Sequence, residues 1–196
     1  MFSQVSVLDA DCKILKTIVS LPMYIPPPPP NPINIGATYG PEVIFCPFNE
    51  ESGVYAISSE YKCYVVDSSG NNKFLFTKDE SPEGFSKKEK NYVIDLFKKS
   101  IENSGRDTKF TADFPKHKPL ILDIRDDDKG RMYIRKYQIV PPDDRMSNYD
   151  LFDREGYYLY KVKMSKSPIN CRLSSQMFII KIYPQSKPIN TEYLLT

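Results

Sequence analysis

The chain has 196 residues and a mass of 22.6 kDa, with 27 Lys+Arg against 25 Asp+Glu, one His, four Cys and no Trp. A net charge of +2 lacks the basic excess of a nucleic-acid-binding domain, and 40% hydrophobic residues supply enough apolar mass for a core, which excludes wholesale disorder. The 17 Pro outnumber the 8 Gly, and 14 Tyr with 11 Phe tilt the composition toward strands.

In chain order, residues 4–19 alternate in polarity and predict two short strands around the turn Asp9-Ala10-Asp11-Cys12. Acidic and basic residues so close to Met1 interrupt any signal-peptide core, and no later apolar run is long enough to span a bilayer. Residues 22–40 follow as a proline-rich connector, whose five consecutive prolines at 26–30 have no amide hydrogen to donate and favour polyproline II. A proline run of this kind serves as a stiff spacer or as a ligand for a proline-binding domain. Between residues 41 and 78, four apolar pulses (43–45, 54–57, 61–66 and 73–76) separated by turns predict one antiparallel four-stranded unit.

Ser86-Lys87-Lys88-Glu89 fits a capping box, and Val93, Phe97 and Ile101 with Ile94 and Leu96 follow at helical spacing up to a stop at Gly105. This predicts one amphipathic helix near 86–103 inside an insert spanning 79–117, with Lys87, Lys88, Lys90, Lys98 and Lys99 on its solvated side. Strands return at 120–124, 132–134, 149–152 and 157–164. The run 177–183, apolar except for Lys181, predicts a buried central strand, with a further short one at 192–195.

Little chemistry is legible. Cys12, Cys46, Cys63 and Cys171 contain no Cys-x-x-Cys pair and read as small apolar core residues, with a Cys46–Cys63 disulfide as the alternative. His117 is the only histidine, so a multi-histidine metal site is excluded. Asp126-Asp127-Asp128-Lys129-Gly130 invites calcium, but counting back from Gly130 puts Arg125 at the first ligand position of an EF-hand loop, so a hairpin turn is the better reading. Phosphate-cradling, dinucleotide and nucleophile-elbow motifs are absent. No cofactor, metal or catalytic residue is assigned.

A pattern recurs. VSVLDADCKILKTI (5–18), CYVVDSSGNNKFLF (63–76) and YDLFDREGYYLYKV (149–162) align without gaps. Each holds a strand ending in Asp9, Asp67 or Asp153, then two turn residues, then Cys12, Gly70 or Gly156, then a second strand. A second pattern, strand, polar turn with Gly53 or Gly130, then a strand bearing Tyr55 or Tyr133, precedes the last two copies. Recurrence of a four-stranded unit is the signature of a β-propeller blade. The copies lie further apart than a bare blade of roughly 40–45 residues, and the excess falls on the proline connector and the helical insert. An ordinary sandwich with similar hairpins is the alternative.

GVYAISSEYKCYVVDSSG (53–70) and KPLILDIRDDDKGRMYIRKY with NYDLFDREGYYLYKV (118–162) resemble the bacterial six-bladed β-propeller family related to NHL and TolB-type propellers. The resemblance implies an all-β fold of antiparallel blades with one inserted helix. Its parts would be a half blade at 3–21, the connector at 22–40, a blade at 41–78, the insert at 79–117, a blade at 118–166 and a partial blade at 167–196. About three blades where the family has six, and an opening in mid-blade, imply part of a propeller, self-association through open blade edges, and export if further residues precede Met1. The function implied is a non-catalytic binding or scaffold module for a protein or small-molecule ligand. The alternative is a metal-dependent propeller enzyme of lactonase or lyase type. In a blade the connections carrying the connector, the insert and residues 137–148 fall on one side of the disc. That face, with Lys116, His117, Asp143 and Arg145, is the expected ligand or partner surface.

Overall fold

Four hairpin turns of one design organise the molecule. In each, an aspartate Oδ1 accepts hydrogen bonds from the backbone N–H groups two and four residues on: Asp11 and Lys13 at Asp9, Ser69 and Asn71 at Asp67, Lys129 and Arg131 at Asp127, Glu155 and Tyr157 at Asp153. The residue three positions after each aspartate donates its N–H to the aspartate carbonyl at 2.9–3.1 Å. It takes a positive φ: 60° at Cys12, 74° at Gly70, 72° at Gly130 and 88° at Gly156. Glycine reaches this region without steric cost, which explains the recurring Asp-x-x-Gly. The fourth copy is the acidic run 126–130, a turn as read from its sequence.

The computed structural model describes residues 2–9, 11–28, 31–49, 51–105, 108–139 and 146–164 with side chains, and 178–183 as backbone. These residues are mostly β, with one α-helix. Strands β1 (Phe2–Leu8) and β2 (Ile14–Pro22) form the first hairpin. Strands β4 (Val43–Phe48), β5 (Ser52–Ile57), β6 (Lys62–Asp67) and β7 (Asn72–Thr77) form one antiparallel meander. Strands β9 (Ile121–Asp126), β10 (Met132–Lys136), β11 (Ser147–Phe152) and β12 (Tyr158–Met164) form a second. Strands β3 (Ile33–Asn34) and β8 (Phe110–Thr111) make a parallel pair, and β13 (Phe178–Tyr183) joins β1 antiparallel, Phe2 opposite Tyr183. The strand expected at 177–183 is present as β13. In the described sheet β13 lies at an edge and β1 in the middle, because β1 pairs with both β2 and β13. The strand expected at 192–195, and Cys171, lie outside the described residues.

The three sheets pack in series. One face of β4–β7 meets β9–β12 through Cys46, Val54, Ala56, Cys63 and Val65 against Ile121, Ile124, Met132, Ile134 and Phe152. The opposite face, with Val43, Tyr55 and Val66, meets Val5 and the half-buried Ile18, Val19 and Leu21 of the first hairpin. Burial on both sides accounts for the doubly apolar sequence of β5 and β6. Cys46 and Cys63 are buried thiols not joined in a disulfide. They sit on β4 and β6, with β5 between them. Two strand spacings of about 4.8 Å exceed the Cα separation of about 7 Å that a disulfide tolerates, so the disulfide alternative falls.

Turn glycines also mark where sheets touch. A Cβ at Gly70 would lie 2.8 Å from Val7 Cγ2 of β1, and one at Gly156 would lie 2.8 Å from Phe76 Cβ of β7, whereas at Gly130 the nearest atom is 3.5 Å away. Gly130→Ala should therefore cost only the left-handed strain, about 1 kcal/mol. Gly70→Ala adds crowding and should cost about 2 kcal/mol. Equal urea midpoints for the two variants would contradict this account.

The helix α1 spans Lys87–Ser104. The Ser86 hydroxyl accepts from the Glu89 N–H at 3.2 Å, Glu89 Oε2 accepts from the Ser86 N–H at 2.8 Å, and Gly105 ends the helix with φ 63°. Its five named lysines are exposed. Val93, Ile94 and Phe97 face inward, but Leu96 is 48% exposed. At about 100° per residue Leu96 rotates to the far flank of the Val93 stripe, which corrects its expected place.

Candidate functional site

The segments that leave the sheets fold onto one another. Ile35 from a short 3-10 helix (Ile35–Tyr39), Val93 from α1 and Ile139 from the connection after β10 are the buried centre of a third apolar cluster, which also takes in Tyr39, Phe85, Phe114 and Tyr137. The connector, the insert and the start of 137–148 thus share one layer. Asn34 fastens it: its side-chain oxygen accepts from Gly36 N–H at 3.1 Å and from Asp113 N–H at 3.0 Å, across 79 residues of sequence. Gly36 approaches so closely that a Cβ there would fall 2.4 Å from the Asp113 carbonyl oxygen. Burial, followed by the nearby Tyr39 and Glu42, pushes the Tyr137 phenol up to about 12.

Within this layer the connector and the 3-10 helix bound a cleft of about 370 Å³ lined by Pro22, Met23, Tyr24, Thr38 and Glu42. Tyr24 is held because its hydroxyl accepts the Asn34 N–H at 2.7 Å. Loss of solvent raises the Glu42 carboxyl above its ordinary range.

Of the four residues expected on the ligand face, Lys116 and His117 are exposed in the stretch leading to β9, while Asp143 and Arg145 lie outside the described residues. The neighbouring Lys118, which the sequence did not single out, is the engaged one. Its Nζ reaches Glu83 at 2.9 Å and the capping Glu89 at 3.0 Å. It ties the helix start to the approach to β9.

A cluster of charges joins the two meanders. Asp150 of β11 is fully buried, and its Oδ2 accepts from the Tyr61 hydroxyl at 2.7 Å and from Lys78 Nζ at 2.8 Å. Lys78 also reaches Glu80 at 2.8 Å, Glu80 pairs with Lys136, and the Tyr158 ring lies 5.2 Å from the Lys78 ammonium. Burial, then the Asp150 hydrogen bond and charge, drive the Tyr61 phenol far above its ordinary range. Burial opposes the Lys78 charge, but hydrogen bonds to Asp150 and Glu80 outweigh it and the pKa rises. Sequence reading missed this set. Its one signal was an aspartate, Asp150, lodged between Tyr149 and Leu151 in an apolar strand.

Glu80 lies below its ordinary range because Lys136 and Lys78 overcome the burial that would raise it. At Asp127, likewise, burial is outweighed by the Arg131 side chain and the Arg131 and Lys129 N–H groups. A carboxyl depressed on folding contributes stability that is complete above its unfolded value, 4.5 for Glu80 and 3.8 for Asp127, and lost as pH falls through the folded one. The urea midpoint should hold from about pH 7 to about pH 5 and fall below about pH 4, less steeply in Glu80→Gln. A midpoint flat through the acid range would contradict it.

At the opposite ends of the strands, a second cleft of about 420 Å³ opens between the two meanders, lined by Ser52, Lys73, Phe74, Lys129 and Arg154 among others. No protein-family model, curated protein or solved structure matches the chain. Among the described residues no group of three or more His, Cys, Asp or Glu side chains is placed to hold a metal ion, and no helix is long and apolar enough to cross a membrane.

Proposed function

We propose that this chain is a non-catalytic binding module of β-propeller type, which presents the layer built from the connector, the helical insert and the start of 137–148 to a protein or small-molecule partner. The blade reading draws support from the repetition of packing as well as of sequence. Gly70, in the last turn of the first meander, rests on the hairpin before it, and Gly156, in the last turn of the second, rests on β7. The binding reading rests on one feature: three segments that the sheets do not require fold together on their own apolar cluster, beside a cleft bounded by the connector. Extended connections held rigidly on a sheet scaffold are where recognition concentrates.

The test is a screen of metabolites and short peptides by ligand-observed NMR on the intact chain. Ligands should lose binding in Lys116→Ala/His117→Ala, or in Arg145→Ala, with the circular-dichroism spectrum unchanged. Ligands indifferent to both changes would overturn the assignment of this face. Stoichiometric calcium or zinc in the purified protein would favour the metal-dependent enzyme instead.

A further inference from the structure

We propose that the cleft between the turn ends of the two meanders is a binding site for a small organic anion, a carboxylate or phosphate carried on a flat apolar body. The strands of each meander alternate in direction, so this cleft lies at the end away from the connector and insert. It is a different surface from the one above and does not depend on the propeller reading.

Its base is apolar: Phe48 and Val65 are buried and Phe74 is half-buried. Its rim is cationic. Among the described residues that line it, Lys73 from the outer strand of one meander faces Lys129 and Arg154 from two turns of the other, against a single carboxylate, Glu155. That carboxylate is taken by Arg154 at 2.7 Å, in a pair whose side chains are 74% and 52% exposed. Among the described residues Lys73 Nζ finds a neutral acceptor, Ser52 Oγ at 3.2 Å. Two cationic charges are therefore left at the mouth of a chain whose overall balance is 27 to 25. The excess is local and comes from three separate stretches of sequence. Like charges gathered over a low-dielectric base repel one another until an anion sits among them, and the same base strengthens its attraction. Gly130 lies on this wall, where a Cβ would stand 3.5 Å from Arg154 Cβ. The volume falls in the range of about 300–1,000 Å³ found for small-ligand sites, with room for a ring or short acyl chain beneath the charged group.

The probe is 8-anilinonaphthalene-1-sulfonate, an aromatic anion whose fluorescence rises in apolar surroundings, with neutral N-phenyl-1-naphthylamine as its uncharged counterpart. Titration of the intact chain should give one sulfonate site that binds at least tenfold more tightly than the neutral analogue and weakens with added salt. Lys73→Ala/Lys129→Ala should weaken the sulfonate about tenfold or more while leaving the neutral probe unchanged. Arg154→Ala, at an exposed turn position, provides the same test independently should the double variant fold poorly. Absence of a sulfonate site, equal affinity for the two probes, or undiminished sulfonate binding in these variants would overturn the proposal.

Discussion

Asp150→Ala is expected to lower the unfolding free energy by about 3 kcal/mol. The carboxylate is fully buried and holds two donors, so its removal strands the Tyr61 hydroxyl without an acceptor and takes from Lys78 one of its two anionic partners. An unpaired buried hydroxyl costs about 1–3 kcal/mol. The retained Glu80 contact keeps the total toward the low end of the range of about 3–5 kcal/mol seen when buried ion pairs are broken. For a chain of this length that loss corresponds to a melting temperature lower by about 6–12 °C. Asp150→Asn keeps an oxygen for Tyr61 and should cost about half as much. Tyr61→Phe, which removes only one hydrogen bond, should cost about 1–2 kcal/mol. Pairing Asp150→Asn with Lys78→Met should recover part of the loss, because neither charge is then left without its partner. An unchanged urea midpoint in Asp150→Ala would show that the cluster does not fasten the two meanders together.

Gly36→Ala should be comparably damaging, by about 3 kcal/mol, but in a confined part of the molecule. The added methyl would fall 2.4 Å from the Asp113 carbonyl oxygen and 2.7 Å from Phe114 N, both backbone atoms that no rotamer change can move aside. Relief requires the connector and insert to separate, which breaks the hydrogen bond from Asp113 N–H to Asn34 and the β3–β8 pair. Amide exchange should accordingly accelerate in α1 and around Phe110–Thr111 while β5 and β6 stay protected. Gly84→Ala is the control. Its added atom would sit 3.4 Å from the Lys116 carbonyl oxygen, and the cost should stay below about 1 kcal/mol. If β5 and β6 lose protection as readily as α1, the layer is not the separable unit described.

What the sequence revealed was local. The eight strands of the two meanders, the aspartate-capped turns and the helix with its capping box each depend on residues within one turn or one strand, so periodicity and turn chemistry sufficed. The misses are long-range. Lys78 and Asp150 are 72 residues apart and meet only because two sheets pack face to face. The parallel pair β3–β8 is two residues long on each side and offers no pattern to read. Strand β1 is buried on both faces yet reads FSQVSV, because the Gln4 amide donates to Ser6 Oγ at 3.3 Å and Ser6 to Thr17 at 3.4 Å, satisfying polar groups that hydropathy assigns to solvent. Of the candidate ligand face, only Lys116 and His117 can be placed, and both are exposed. The cationic cleft was not legible, since Lys73, Lys129 and Arg154 are unremarkable in three separate hairpins.

The pairing of β1 with β13 sets a timetable for synthesis. The first sheet draws on residues 2–22 and 178–183, so it cannot be completed until residue 183 has emerged from the ribosome, long after the β4–β7 meander has all its strands. During that interval the nascent chain carries β1 with one edge open, the condition that invites pairing with a neighbouring chain.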